Sequence, residues 1–228
     1  LLRGLTQDKQ GYIWFGGTGV FRYDGYQVKT YKNDPSNSNS LGSNTIESIY
    51  AGKNGIIWIG TKGYGLDRLD PSTGIFTHYR KDVIQKSSLI HNKVTAIFED
   101  HDGVLWVGTH GGLDRFDERT GNFIHYTNIP GDSSSLSCNQ VRTIYEDRQG
   151  TLWVGTGSPF NNDDSGPDEG GLNRLDKRTG KFSRFMHDPK DPQSLINNKV
   201  GAIFEDSRGV FWVGTADDGL HTMDRNNG

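Results

Sequence analysis

All five tryptophans of this 228-residue chain stand at the same place in a recurring text. Trp14, Trp58, Trp106, Trp153 and Trp212 are each followed by an apolar or aromatic residue and then Gly. The runs read WFGG, WIGT, WVGT, WVGT and WVGT, at intervals of 44, 48, 47 and 59 residues. Residues 96–126, AIFEDHDGVLWVGTHGGLDRFDERTGNFIHY, show the unit whole: four short apolar-rich runs joined by three turns. A repeat of roughly 40–50 residues carrying four strands is the pattern of a β-propeller blade. The expected fold class is all-β, a β-propeller built from about five four-stranded WxGT-type blades.

The units fall at residues 5–31, 45–79, 94–126, 141–185 and 200–228, and an insertion at 157–169 accounts for the longest interval. We read residues 1–228 as a single propeller segment. Within a unit, VTAIFED is the innermost strand and VLWVGT the second. The second is apolar almost throughout, as a strand covered on both faces should be. GLDRFD is the third strand and NFIHY the outer one. The first hairpin needs a positive φ, which Gly11, Gly55, Gly103, Gly150 and Gly209 supply. The linkers share Ser-Leu followed three residues later by Asn. Leu41, Leu89, Leu136 and Leu195 are expected to plug the space between blades. Asn44, Asn92, Asn139 and Asn198 are expected to hydrogen-bond local backbone at the entry to the next strand. The text starts at an innermost strand, lacks an initial Met, and stops after a third strand. We therefore expect an upstream segment to have been removed and the repeats to be part of a longer, seven-bladed array.

Bulk properties exclude several classes. With 25 basic and 28 acidic residues the net charge is −3, and no basic stripe is present, which argues against nucleic acid as a partner. The single Cys138 rules out an internal disulfide and a multi-cysteine metal site, and suits either cytosol or periplasm. No apolar run approaches the ~18 residues of a membrane span. Apolar residues make up only 32% of the chain, yet they recur in register, which argues against disorder.

The unit D-x-x-G-x-hydrophobic-W-hydrophobic-G-T, then G-L-x-R-hydrophobic-D, then T-G-x-F-x-x-Y, with its SL-x-x-N linker, resembles the two-component regulator propeller repeat. The resemblance covers all five units. Repeat one departs from it at Gly17, Phe21 and Asp24-Gly25, and repeat five has Thr222 in place of the Arg at 22, 68, 115 and 174. The resemblance implies a periplasmic sensor region of a membrane-bound signalling protein, such as a hybrid histidine kinase. It also implies oligosaccharides as ligands and an output module elsewhere in the parent chain. None of the kinase's own motifs occurs here.

Several clusters invite a chemical reading. Glu99/Asp100, Glu146/Asp147 and Glu205/Asp206 look like general acid/base pairs, but a catalytic pair would occur once and not once per blade. Asp100, Asp147 and Asp206 are expected to accept turn N–H groups. Arg22, Arg68, Arg115 and Arg174 share a strand face with Asp24, Asp70, Asp117 and Asp176, and ion pairs within or between blades are expected. His78 and His125 repeat on outer strands, His101 lies in a turn, His91 and His187 lie in linkers, and His110 and His221 are blade-specific. None has metal-ligand spacing, so no metal and no cofactor are expected. The insertion Asn161–Glu169 is rich in oxygen ligands but lacks the spacing of a Ca²⁺ loop, and a solvated loop is the expectation.

In a four-strand meander the turns between strands two and three share an end with the blade-to-blade linkers. The residues there that break the repeat are Lys62, Tyr64, His110, Asp163, Asp164, Asp217 and Asp218. Aromatic and carboxylate groups at that end suit a sugar, so these form the expected ligand-binding set. The leading expectation is a non-catalytic ligand sensor, with an oligosaccharide as ligand and a homodimer in the parent protein. One rival is a lyase resembling streptogramin lyase, which would need His110 or His221 beside carboxylates. The other is a structural or dimerisation module.

Overall fold

The computed structural model describes residues 2–158, 170–216, 218–225 and 227–228. Among them every regular element is a β-strand, and nineteen strands form antiparallel meanders: four of four strands and one of three. The chain divides into two compact units, Leu1–His110 with Asp114–Ile124, and Gly111–Leu113 with His125–Gly228.

The first unit holds two whole sheets and most of a third. The first sheet is β1 (Arg3–Gln7), β2 (Ile13–Gly17), β3 (Gly19–Tyr23) and β4 (Val28–Tyr31). The second is β5 (Ile46–Ala51), β6 (Ile57–Thr61), β7 (Leu66–Asp70) and β8 (Ile75–Tyr79). The third is β9 (Val94–Glu99), β10 (Leu105–Thr109), β11 (Gly112–Asp117) and β12 (Asn122–Tyr126). Strand order follows chain order in each, and β5 packs beside both β1 and β9. All five residues of β6 are buried, because sheets cover both its faces. The wedge between the second and third sheets is filled by Trp58, Leu66, Leu89, Val94, Leu105 and Phe116. Gly60 lets them approach: a Cβ there would stand 2.8 Å from the Val94 carbonyl oxygen of the next sheet.

The second unit holds β13 (Val141–Glu146), β14 (Leu152–Thr156), β15 (Gly171–Asp176) and β16 (Lys181–Phe185) in one sheet. The other sheet is β17 (Val200–Glu205), β18 (Phe211–Thr215) and β19 (Gly219–Met223). β13 packs on β17, and Trp153, Leu172, Val200, Phe211 and Val213 fill the space between the two sheets.

The linkers are small folded modules rather than loose connections. Leu41, Leu89 and Leu136 are at most 1% exposed and Leu195 is 9% exposed, so all four plug gaps as their spacing predicts. Each of these four linker asparagines accepts a backbone N–H eleven residues upstream, at the start of its own linker. Asn44 takes Asn33, Asn92 takes Lys81, Asn139 takes Asn128 and Asn198 takes His187, at 2.6–2.9 Å. The linker serines Ser40, Ser88, Ser135 and Ser194 accept the next N–H along, from Asp34, Asp82, Ile129 and Asp188. The bonds close a loop within the linker, whereas the spacing alone placed them at the entry to the next strand. The following blade then clamps the linker. Gly42 N–H donates to Asp67, Ile90 N–H to Asp114 and Ser137 N–H to Asn173, each on a third strand.

One expectation fails. The third-strand Arg-x-Asp residues do not form ion pairs along the strand. Asp24, Asp70, Asp117 and Asp176 instead accept N–H groups of the turn that follows, from Tyr26 and Gln27, Ser72, Arg119, and Arg178. Two of the arginines go to aromatic faces: Arg22 sits 4.4 Å above the Tyr12 ring, and Arg174 lies 5.7 Å from the Phe185 ring and 6.0 Å from Trp153. Arg174 is the direct cross-strand partner of Trp153, so the ring is nearer to hand than a carboxylate already committed to a turn.

Candidate functional site

Three of the seven predicted site residues meet at one end of the first unit. Lys62 forms an isolated bridge with Lys93 and donates its N–H to the Thr45 carbonyl at 3.0 Å. Tyr64 is 55% exposed, its turn fixed by its own N–H bonding Thr61 Oγ1 at 2.9 Å. His110 donates its backbone N–H to the Lys93 carbonyl at 3.2 Å, and its ring stacks on His91 with centroids 6.2 Å apart. Lys93 N–H in turn donates to His91 Nδ1 at 3.0 Å, so the His91 proton resides on Nε2. Burial, then the nearby Lys81 and Lys93, hold the His91 pKa below the ordinary imidazole value. His91 and Lys93 were missed in the sequence because they lie in a linker. The signal for them was their place three and one residues before the next innermost strand.

The other predicted residues do not join this cluster. Asp218 belongs to the second unit, where it accepts Asn197 Nδ2 at 2.6 Å. Asp163, Asp164 and Asp217, and most of the insertion, lie outside the described residues. Among the described residues no group of three or more His, Cys, Asp or Glu is placed to hold a metal.

The acid pairs have separate structural duties. The aspartate binds its own hairpin and its own tryptophan. Asp147 Oδ1 accepts the N–H groups of Gln149 and Thr151, and Oδ2 accepts the Trp153 indole N–H at 2.8 Å. Asp8 with Trp14, Asp100 with Trp106, and Asp206 with Trp212 repeat this at 2.7, 2.9 and 3.3 Å. The glutamate reaches the preceding blade: Glu99 Oε2 accepts Lys53 N–H, and Glu205 Oε2 accepts Arg148 N–H, each at 2.9 Å.

The second blade breaks the pattern, for Gly52 stands six residues before Trp58. At the hairpin end of the first unit, opposite to the Lys62 and His110 loops, lies a cavity of about 630 Å³. Its walls include Lys53, Trp58, Glu99, Leu105, Arg115 and Glu118. Trp58 is 3% exposed, and among the described residues its indole N–H has no hydrogen-bond acceptor. The volume falls in the ordinary range of small-molecule sites, roughly 300–1,000 Å³.

Comparison with known proteins agrees with the repeat. The model of the SMP-30/Gluconolactonase/LRE-like region matches residues 47–197, and that of the two component regulator propeller matches residues 194–217. The extracellular domain of a protein described as a hybrid two component system from B. thetaiotaomicron is 30% identical over 99% of this chain, with a TM-score of 0.81. A second such domain from the same organism is 27% identical over 97% of the chain, with a TM-score of 0.73. The chain spans only 28% and 27% of the length of these two relatives. Virginiamycin B lyase from Staphylococcus aureus shares the fold, with a TM-score of 0.63 at 13% identity over 98% of this chain and 69% of its own. No match was found among curated protein sequences.

Proposed function

The chain belongs to the SMP-30/gluconolactonase/LRE-like family and is built of two-component regulator propeller repeats, and from that premise we propose that it is a ligand-sensing, non-catalytic part of a bacterial two-component signalling protein. The observation that carries this reading is the 30% identity, sustained over 99% of the chain, to an extracellular domain of a hybrid two component system. On this reading the chain lies in the periplasm and the parent protein holds further blades. An oligosaccharide binds at the loop end around Lys62, Tyr64 and His110, and the output and any homodimer contact belong to the parent. Exposed Tyr64 offers a ring for stacking, and the Lys62 ammonium offers a donor to hydroxyls. Calorimetric titration of the chain with a panel of plant and host oligosaccharides tests this. One class binds, and Lys62→Ala and Tyr64→Ala weaken it. Binding that both variants leave untouched removes the loop end from the account.

The family match over residues 47–197 and the shared fold of the virginiamycin lyase favour a second reading, a propeller lyase. It requires His110 or His221 as the acting base. Turnover of a streptogramin in the presence of Mg²⁺, lost in His110→Ala or His221→Ala, would support it. An inert wild-type chain removes it.

A further inference from the structure

The cavity beside Trp58 has a filled counterpart in the other unit, and the comparison shows what the cavity lacks. At Trp153, the Asp147 carboxylate accepts the indole N–H. Arg225 then pairs with Asp147 Oδ2 at 3.1 Å and with both oxygens of Glu205 at 3.1 and 3.2 Å. The Phe211 ring closes the space at 4.8 Å from the Trp153 centroid. At Trp58 each of these three groups is replaced. Gly52 stands for Asp147, Glu118 for Arg225 and Leu105 for Phe211. Only the glutamate survives, as Glu99 in place of Glu205. The replacements remove the acceptor, reverse one charge and move the aromatic ring from the Phe211 position to Phe116, 5.5 Å from Trp58. They leave a 97%-buried tryptophan whose N–H faces a cavity.

We propose that this cavity is a ligand site, and that its ligand is an uncharged polyhydroxylated molecule of the saccharide class. The walls decide the class. Trp58 Nε1 and the cations Lys53, Arg115 and Arg119 donate, while Glu99, Asp102, Asp117 and Glu118 accept. Donors and acceptors are interspersed and the charges nearly cancel. An anion would meet four carboxylates, and a cation would leave the indole N–H without an acceptor. A hydroxyl serves both needs at once: its oxygen accepts from the indole N–H and its proton goes to a carboxylate. Val104, Leu105 and Phe116 supply apolar wall for the C–H face of a sugar ring. The site lies at the end of the blades opposite to the Lys62 and His110 loops. The inference rests on the sensor reading for the role of the ligand, while its class and place are argued from the cavity walls.

The test is an indole ¹⁵N–¹H spectrum of the whole chain titrated with cellobiose, maltose and lactose. The Trp58 resonance moves saturably with at least one of them, while those of Trp14, Trp106, Trp153 and Trp212 stay. Two variants hold the fold and remove the site. Trp58→Phe keeps a ring and deletes the donor. Gly52→Asp with Glu118→Arg rebuilds the filled arrangement of the other unit; Gly52 lies outside the left-handed φ region, and a Cβ there has as its nearest neighbours Glu99 Oε2, Asn54 Oδ1 and the Ile56 oxygen at 3.0–3.3 Å, two of them the ends of side chains that can shift. Both lose binding at least tenfold, and the double variant melts no lower than wild type. A Trp58 resonance unmoved by all three sugars overturns the proposal, as does binding that survives the double variant. A disaccharide that binds equally well to wild type and both variants, and weakly to Tyr64→Ala, keeps the sensor reading and moves its site to the loop end.

Discussion

The Trp153 indole N–H donates to Asp147 Oδ2 at 2.8 Å, across a hairpin that separates the two residues by six positions. One carboxylate thereby joins a hairpin to the aromatic wedge between two sheets. Its other oxygen holds the turn N–H groups of Gln149 and Thr151. Asp147 is 5% exposed and also faces Arg225. Asp147→Ala strands the indole N–H, two amides and a guanidinium together. Removing one partner of a buried pair costs about 3–5 kcal/mol, and that loss is expected in a urea melt of the chain. The second blade, which lacks the carboxylate, shows that one blade can do without it.

The linkers carry a comparable share of stability. Leu136 is fully buried, so Leu136→Ala is expected to cost about 2–5 kcal/mol. Asn139→Ala removes one bond to the Asn128 amide and is expected to cost about 1 kcal/mol. The ratio between the two, read from melts of the single variants, reports how far packing outweighs hydrogen bonding in closing the gap.

Asp67 gives the chain an unusual pH dependence. Burial raises its carboxyl above the ordinary range, against the hydrogen bonds from His78 and Gly42 and the nearby Arg80. For a raised acid, the stabilising contribution is full below the unfolded value of about 3.9 and is lost as pH rises through the folded one. Asn173 fills the same place in the fourth blade, accepting Ser137 N–H at 2.9 Å. Asp67→Asn is therefore expected to keep the clamp on Gly42 and abolish the slope. The Tm difference, variant minus wild type, rises from about pH 3 to about pH 7. A flat difference refutes this account of Asp67.

The exposed turn aspartates act in the opposite sense. Hydrogen bonds from Ser36, Ser72, Thr120, Ser134 and Thr179 hold the carboxyls of Asp34, Asp70, Asp117, Asp132 and Asp176 below the ordinary value. Their contribution is present above the unfolded value and lost as pH falls through the folded ones. They outnumber Asp67, so the Tm of the wild-type chain is expected to fall on acidification below about pH 4. Asp132→Asn should show a shallower fall.

Much of this was readable in the sequence because a fivefold repeat averages out accident. The strands, the hairpin glycines, the leucine plugs and the turn-binding role of Asp100, Asp147 and Asp206 followed from register alone. The arginine ladder did not, because i and i+2 on a strand face are joined by a third neighbour that one strand cannot display. That neighbour is the tryptophan opposite, Trp153 across from Arg174. His91 escaped notice because its partner His110 is nineteen residues away and is reached only when the linker folds back. Gly52 was visible as the missing aspartate of one blade. Its meaning appeared only once the aspartates of the other four were found on indole nitrogens.

The account stands or falls on whether the chain binds a sugar at all. The direct measurement is a thermal melt of the chain alone and with a panel of plant and host oligosaccharides. A ligand at about a hundred times its Kd adds roughly 2.7 kcal/mol. For a chain of this size that raises Tm by about 5–10 °C. The account predicts a cooperative melt that one class of oligosaccharide shifts by that amount while the others leave it in place. A cooperative melt that no member of the panel moves would contradict it.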